Sequence, residues 1–190
     1  MLYSTNAVHI SNVLLMRFLP SLLLPQRLSS VTSLELVWDL SHLWSLLDPH
    51  EKCWPAYSGL ASIVASAFPH LRKLYISVDI RHHMTNPSAE IIESDERQLL
   101  GPIDEIVRKL GPQLQDCEVA LACYVHIAFM DRAKSAGARI KNRSIGGLRC
   151  TRFWRPVAVD QGAQSGNDLG YWVRPPVEDQ ICLCTCFTSA

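Results

Sequence analysis

Three alternating cysteines near the end of the chain, Cys182, Cys184 and Cys186, have the residue type and spacing that most directly suggest chemistry. In an extended segment they would share one side, and thiolates bind soft metal ions. Structural zinc sites, however, separate paired ligands by about two to four residues and use a second pair elsewhere. This chain has no Cys-x-x-Cys. We therefore predict no metal and no cofactor.

Catalytic sequence signatures are absent from the chain. It contains no Gly-x-Ser-x-Gly elbow, no phosphate-binding Gly-x-x-x-x-Gly-Lys loop and no His-Glu-x-x-His zinc motif. The adjacent histidines His82 and His83 have no carboxylate or cysteine at a recognisable ligand spacing, so we interpret them as loop residues. A hydrolase built from scattered carboxylates and histidines stays open on sequence grounds, but we predict that the protein is not an enzyme.

Charge is segregated along the chain, although the 18 basic residues cancel the 18 acidic ones. Residues 132–155 contain eight basic side chains and no acidic one, and residues 90–105 contain six acidic side chains against Arg97 alone. With Phe153 and Trp154 nearby, the basic stretch could contact phosphates and stack a base, so a nucleic-acid-associated protein is the alternative function. The other interpretation is a solvated face that the acidic segment balances across the fold.

Length and composition indicate one core in a reducing compartment. The chain has 190 residues, of which 48% are hydrophobic. Its seven cysteines, an odd number, do not suit the disulfide framework of a short secreted chain, so we predict an intracellular protein, cytoplasmic or nuclear. Residues 7–24 are apolar, but Arg17 and Pro20 interrupt them. We expect a packed N-terminal helix there, not a signal peptide or a membrane span.

A pattern of five positions occurs twice and indicates how the chain is organised. The first copy is Leu28, Val31, Leu34, Leu36 and Asp39, and the second is Phe68, Leu71, Leu74, Ile76 and Asp79. Corresponding positions are forty residues apart, and a looser third copy follows at Leu114, Cys117, Val119 and Ala122. Repetition at a fixed interval predicts stacked, equivalent supersecondary units.

Each copy contains a predicted strand, and a predicted helix follows it. Residues 33–38, 73–78 and 117–121 alternate apolar and polar positions, which is typical of half-buried strands. Helices are expected from Pro55 to Pro69, from Pro102 to Gly111 and over residues 124–136, with a shorter one capped by Ser41. This alternation favours an α/β fold of repeated strand–helix units with a small, mostly parallel sheet. An ordinary three-layer α/β fold is the alternative.

After residue 140 the character of the sequence changes. Residues 142–147 indicate a polar, glycine-rich link, and residues 152–156 and 171–175 are aromatic segments on either side of a flexible stretch. Two such segments predict a C-terminal β-hairpin that covers the last repeat unit. The predicted domains are a strand–helix repeat domain over 1–140, a hairpin over 141–175 packed on it, and a disordered tail over 176–190.

Two resemblances extend this interpretation. The spacing Val31-x-x-Leu34-x-Leu36-x-x-Asp39 resembles a leucine-rich repeat, although forty residues exceed the usual length of about 20 to 29. The stretch LLLPQRLSSVTSLELVWDL, the segment HLRKLYISV and the later FWRP and GYWVR pieces look like a fungal family of uncharacterised domains, over roughly residues 2–174. Such domains often follow an F-box-like segment, and the sequence leaves open whether one precedes this domain. The resemblance implies no catalytic or binding residues.

The strand side of the predicted units is the expected binding surface, because solenoids bind partners there. Glu35, Tyr75 and Glu118 are outward strand positions in one register and should form a row. We predict a non-enzymatic protein–protein interaction module with an unknown protein partner and no membrane association, and we favour a protein over nucleic acid as its ligand. The candidate partner-binding residues are Glu35, Lys73, Tyr75, Glu118, Arg132, Lys134, Arg139, Lys141 and Arg143.

Overall fold

Seven strands and five α-helices make up the described parts of the chain. The computed structural model describes residues 7–11, 13–39, 54–79, 89–145, 148–158 and 169–176. The strands are β1 (Ala7–Ile10), β2 (Ser33–Asp39), β3 (Lys73–Asp79), β4 (Asp116–Leu121), β5 (Ile140–Ile145), β6 (Leu148–Pro156) and β7 (Gly170–Arg174). The helices are α1 (Val13–Leu22), α2 (Pro25–Ser29), α3 (Trp54–Ala67), α4 (Ala89–Leu110) and α5 (Cys123–Ser135), and a 3-10 turn (Gly111–Gln113) follows α4.

The seven strands form one sheet in the order β1-β2-β3-β4-β7-β6-β5. The first five strands in this order run parallel, whereas β6 and β5 are each antiparallel to the strand before them. The predicted α/β fold with a mostly parallel sheet is therefore confirmed. So is the predicted hairpin, since β6 and β7 pair antiparallel and β7 then pairs with β4.

Apolar side chains at every second strand position face the helices. In β2, for example, Leu34, Leu36 and Trp38 are at most 3% exposed, and they belong to one core cluster with buried side chains of all five helices. Because β1 to β4 follow one another in both sequence and space, right-handed crossovers place the connecting helices on one side of the sheet. Within the described residues, the opposite side has no helix against it, and we call it the open face.

The repeated pattern marks equivalent places in neighbouring strand–helix units. Leu34 pairs in register with Leu74, Leu36 with Ile76, and Asp39 with Asp79. The third copy continues the same register, since Cys117 and Val119 of β4 lie beside the second copy's apolar positions in β3. The interval of forty residues is therefore the chain length needed to leave one strand, form a helix and return beside the same strand position.

Helix α4 starts earlier than its sequence indicates. The predicted start at Pro102 is wrong, because the helix begins at Ala89 and contains Pro102 in its interior. Leu99 and Leu100 are at most 2% exposed and extend the apolar stripe of the later turns across the proline. Burial of that stripe outweighs the single helical hydrogen bond that proline cannot donate.

Two short strands stand where other structure was expected. Residues 7–10 do not continue the predicted N-terminal helix but form β1, whose Ile10 is buried and pairs with Leu36. Residues 142–147 are not a link, because β5 runs to Ile145 and pairs with β6. An edge strand that is exposed on both faces has no alternation of apolar and polar residues, so its sequence lacks the usual signal of a strand.

Other features of the fold bear less directly on the open face. Helix α1 buries Met16 and Leu19 but leaves Phe18 and Leu22 53% and 63% exposed. Within the described ranges, no helix combines the length and apolar character needed to cross a membrane. The predicted short helix at Ser41, the His82–His83 pair, the cysteines at 182–186 and tail residues 177–190 lie outside the described residues.

Candidate functional site: the open face of the sheet

One register line of side chains crosses the open face. The predicted row is confirmed: Glu35 of β2 pairs with Tyr75 of β3, and Tyr75 pairs with Glu118 of β4. The line extends in both directions beyond the prediction, across β1, β7 and β6 and to the residue directly before β5. In sheet order its members are His9, Glu35, Tyr75, Glu118, Trp172, Trp154 and Arg139.

Glu118 is the centre of an ion-pair cluster on this face. Its Oε1 accepts hydrogen bonds from Nη1 of Arg143, at 3.1 Å, and from Nη1 of Arg152, while its Oε2 accepts one from Nε of Arg174 at 3.3 Å. The carboxylate is only 14% exposed. A partly buried carboxylate is tolerated when charged donors compensate its lost hydration, and three guanidinium groups do so here.

Arg174 extends the cluster to β3. Its Nη2 donates a hydrogen bond of 3.0 Å to the Tyr75 hydroxyl, and its guanidinium lies 5.0 Å from the centre of the Tyr75 ring. Burial raises the pKa of Tyr75, an effect that the Arg174 charge opposes. Tyr75 therefore remains a neutral phenol at physiological pH, and Arg174, which is 7% exposed, is held from two sides.

Two tryptophans in the register line carry cations over their rings. Trp154 and Trp172 meet edge to face, with ring centres 5.2 Å apart. The Arg152 guanidinium lies 4.3 Å and the Lys141 ammonium 5.2 Å from the centre of the Trp172 ring, and Arg139 lies 4.6 Å from that of Trp154. The negative face of an indole ring attracts such cations, so the rings hold the side chains in place above the sheet.

Gly170 lets Trp154 lie close to the backbone of β7. A Cβ atom at Gly170 would come within 2.8 Å of two ring atoms of Trp154 and within 2.3 Å of the carbonyl oxygen of Arg155. Both distances are shorter than any normal contact, so only glycine fits this position without a shift of the hairpin.

The helix side of the sheet carries a second ion-pair cluster. Arg155 bonds to Asp104 of α4 through Nε and Nη2, both at 2.9 Å, and through Nη1 to Glu96. The fully buried Tyr171 donates a hydrogen bond of 2.7 Å from its hydroxyl to Oδ1 of Asp104, and burial raises its pKa well above the ordinary value. These contacts attach the hairpin to α4.

A cavity of about 460 Å³ lies beside this second cluster, between the end of α5 and β6. Phe129 and Phe153 line it together with Glu96, Arg132 and Arg155. Arg139 is a fourth charged residue of the lining. Glu96 accepts from Arg132 and Arg155, and these contacts have the pattern of a structural ion-pair network.

Metal ligands and reactive groups give no further site within the described residues. There, no group of three or more His, Cys, Asp or Glu side chains is arranged to hold a metal ion. Cys117 and Cys150 are buried and belong to no disulfide bond, and burial raises the pKa of Cys117. His126 is 3% exposed, and burial lowers its pKa to about 4, so the imidazole is neutral at physiological pH.

Seven of the nine candidate residues lie on the open face, and two do not. Arg132 and Lys134 belong to α5 on the helix side, where they pair with Glu96 and Asp131. On the open face, Glu35 pairs with His9, at 3.1 Å, and Lys73 is exposed beside it in β3. The remaining five have been placed above: Tyr75, Glu118, Arg139, Lys141 and Arg143.

Four members of the open-face cluster were not among the candidate partner-binding residues: Arg152, Trp154, Trp172 and Arg174. Sequence reasoning considered Arg152 and Trp154 only for the nucleic-acid alternative, and it missed Trp172 and Arg174. A signal for them existed, because the segments around both tryptophans alternate in period two. That alternation places Arg152 with Trp154 on one face, and Trp172 with Arg174 on one face, once the two strands are recognised.

A family model described as "Domain of unknown function (DUF7730)" matches residues 1–128. The chain belongs to this family. No curated protein and no solved structure matches it. The match ends within α5, so β5, β6 and β7 lie beyond the part that the DUF7730 model covers.

The boundary of the DUF7730 match separates acids from bases in both ion-pair clusters. The carboxylates of Glu96, Asp104 and Glu118 lie before residue 128. Their partners all lie after it: Arg132, Arg143, Arg152, Arg155 and Arg174. This bears out the interpretation that the acidic segment balances the basic stretch across the fold, at least for Arg132 and Arg155. Complementary charge therefore attaches the last strands to the matched domain on both faces of the sheet.

Proposed function

We propose that this DUF7730 protein is a non-enzymatic protein–protein interaction module that binds its partner on the open face. The observation that carries the proposal is the register line of polar and aromatic side chains across this face, against which no helix of the described residues packs. Strand-side surfaces of strand–helix repeats are the usual binding surfaces of solenoids. Tryptophan, tyrosine and arginine, which are concentrated here, are also enriched at protein interfaces.

A role without catalysis agrees with how the ionisable groups are used. Glu118 and Asp104 are each bonded to arginine, and these contacts have the character of structural ion pairs. A general base or nucleophile instead needs access to a substrate and a pKa near the working pH. The described open face offers a shallow cavity of about 410 Å³, lined by Glu35, Tyr75 and Glu118 among others, which suits a side chain of a partner.

We extend the proposal to the repeat class, the location and the neighbouring segment of the protein. The in-register repeat of Leu34 and Leu74 and the helices on one side support a distant, enlarged relative of leucine-rich repeats. Cys117, Cys123 and Cys150 belong to no disulfide bond, which supports an intracellular location, cytoplasmic or nuclear. In a fungal protein with an F-box-like segment before this domain, the open face would be the surface that binds the target protein.

The alternative, nucleic acid on residues 132–155, has weaker support. Five of the eight cations in that stretch pair with carboxylates: Arg132, Lys134, Arg143, Arg152 and Arg155. Charge that is compensated within the protein adds little to phosphate binding. A protein partner therefore remains the favoured ligand.

Site-specific photo-crosslinking tests the proposal. A photoreactive amino acid is placed at Lys73, which is exposed on the open face, and in a matched variant at Lys109, which is exposed on α4. The full chain is irradiated in the cells that produce it, and the adducts are identified by mass spectrometry. We expect a discrete adduct from position 73 that position 109 does not form. Equal adducts at both positions, or none at position 73, would contradict the proposal.

A further inference from the structure

One flank of α1 is both apolar and exposed. Leu15, Phe18 and Leu22 follow one another at intervals of three and four residues, so they form a stripe along the helix. They are 45%, 53% and 63% exposed. Of the seven large apolar side chains that are exposed in the described residues, five lie between residues 15 and 24. Single apolar residues on a surface are ordinary, whereas a contiguous cluster marks a site of interaction.

The stripe points out of the fold beside β1. Leu15 and Phe18 each come one residue before a buried side chain of α1, Met16 and Leu19, so they lie about 100° round the helix from the core. In a right-handed crossover, that flank of the helix faces the strand that the chain has left, here β1, and the other flank faces the next unit. β1 is the first strand of the sheet and, within the described residues, it pairs with β2 alone. The stripe and the outer side of β1 therefore form one surface, which we call the outer flank.

We propose that the outer flank binds a second copy of this chain in a twofold dimer. A twofold axis perpendicular to the sheet sets β1 antiparallel to its copy and keeps the helices of both copies on the same side. Val8 and Ile10 pack in the core on the helix side, and the same axis leaves them on that side in both copies. The two apolar stripes then meet across the axis. A twofold interface needs a surface that is complementary to itself, and an apolar stripe beside an edge strand satisfies this condition.

Charge distinguishes this edge of the sheet from the other one. β1 has no ionisable side chain apart from His9, which lies 3.1 Å from the Glu35 carboxylate of its own chain. The stripe has none, and residues 7–34 contain no acid. At the opposite edge, β5 carries Lys141 and Arg143. Charged side chains on an edge strand oppose its pairing with another copy. β5 therefore resists self-association through its charge, whereas β1 and the stripe do not.

The size of the outer flank suits a reversible dimer. β1 has four residues, so strand pairing adds few hydrogen bonds, and burial of the stripe supplies most of the free energy. One helix flank and one short strand from each copy come close to the lower limit for specific interfaces, about 1,200 Å² in total. Both open faces lie on the same side of such a dimer and stay accessible, so a partner with two binding sites could engage both.

Sedimentation equilibrium of the full chain over a wide range of concentrations tests the proposal. A thiol reductant is present, because the seven cysteines could otherwise join two copies covalently. We expect a monomer–dimer equilibrium that Phe18→Gln and Leu22→Gln each weaken by about tenfold, since each side chain is lost twice in a twofold interface. The matched control is Ile127→Gln, which changes an exposed apolar side chain of α5 and should leave the equilibrium unchanged.

Hydrogen exchange at low and at high protein concentration locates the contact. We expect amides of residues 7–22 to exchange more slowly in the dimer and those of residues 140–145 to be unaffected. The proposal is wrong if the chain stays monomeric at every concentration, which would assign the outer flank to another occupant. It is also wrong if Ile127→Gln weakens the dimer as much as the α1 variants do, or if protection appears at β5 instead. Circular dichroism confirms that the variants fold. Crosslinking from Lys73 tests the open face alone, so the two proposals stand or fall separately.

Discussion

The Tyr171 hydroxyl donates a hydrogen bond of 2.7 Å to Oδ1 of Asp104, which joins β7 to the second half of α4. Arg155 bonds to both oxygens of the same carboxylate. Tyr171 is the largest of the fully buried side chains in the described structure. The hairpin is therefore anchored at a point where a buried phenol, a carboxylate and a guanidinium satisfy one another.

This anchor predicts unequal effects of two conservative changes. Tyr171→Phe removes one hydrogen bond and should lower the free energy of unfolding by about 1 to 3 kcal/mol. Asp104→Asn should lower it further, by about 3 kcal/mol, because Arg155 then keeps only Glu96 as a charged partner while it stays partly buried. Urea denaturation measures both, with Asp131→Asn on the surface of α5 as the control. A larger effect of the tyrosine change would contradict this account.

Glu118→Gln tests the open-face cluster. The substitution leaves Arg152 and Arg174, which are mostly buried, without their shared negative charge. We expect the free energy of unfolding to fall by about 3 kcal/mol or more. The matched control is Glu35→Gln, whose exposed pair with His9 should contribute less than about 1 kcal/mol. Similar urea midpoints for the two variants would show that Glu118 is not the centre of the cluster.

We expect substitution by alanine to change the stability of the protein in opposite directions at two glycines, Gly170 and Gly59. Gly170→Ala places a Cβ against the Arg155 carbonyl and the Trp154 ring, so it should destabilise the protein by about 1 to 3 kcal/mol and alter the tryptophan fluorescence. Gly59 lies inside α3 with open space around it, and Gly59→Ala should stabilise the protein by up to about 1 kcal/mol. Thermal unfolding of both variants checks these predictions. An unchanged melting temperature for Gly170→Ala would mean that the hairpin shifts to accommodate the added Cβ atom.

We expect the protein to lose stability in mild acid because of the buried His126. Burial lowers its pKa from 6.5 to about 4 in the folded protein, so between these values the unfolded state binds more protons. Stability is therefore fully present above about pH 6.5 and falls as the pH decreases, by about 2 kcal/mol at about pH 5. His126→Gln should remove this component from the pH dependence of the urea midpoint. If both proteins show the same slope between those pH values, another group is responsible.

Much of the parallel sheet could be predicted from local patterns. The alternation of Leu34, Leu36 and Trp38 defines a strand face by period two, and any fold that buries that face must use it. The same argument placed Glu35, Tyr75 and Glu118 in one row, because a repeat at a fixed interval aligns equivalent positions in neighbouring strands. Local signals misplaced the start of α4, since proline is favoured at the first turn of a helix, whereas burial of Leu99 and Leu100 continues this helix through Pro102.

The candidate site was only partly predictable, because a run of like charges in the sequence does not show on which face of the sheet each side chain lies. Residues 132–155 look continuous in sequence, yet the end of α5 and β5 separate them into two groups. Gly137, with a φ of 73°, ends the helix and turns the chain towards the sheet edge. Arg132 therefore reaches the helix-side cluster, while Arg139 and Lys141 reach the open face.

The sequence by itself determined the parallel strands β2, β3 and β4, which of their faces is apolar and how their positions correspond, because these follow from spacing along the chain. Only the tertiary structure decided which charges meet. Glu118 bonds to Arg143, Arg152 and Arg174, which are 25, 34 and 56 residues away. Such pairing depends on β7 inserting between β4 and β6, and no local pattern encodes that choice of neighbour.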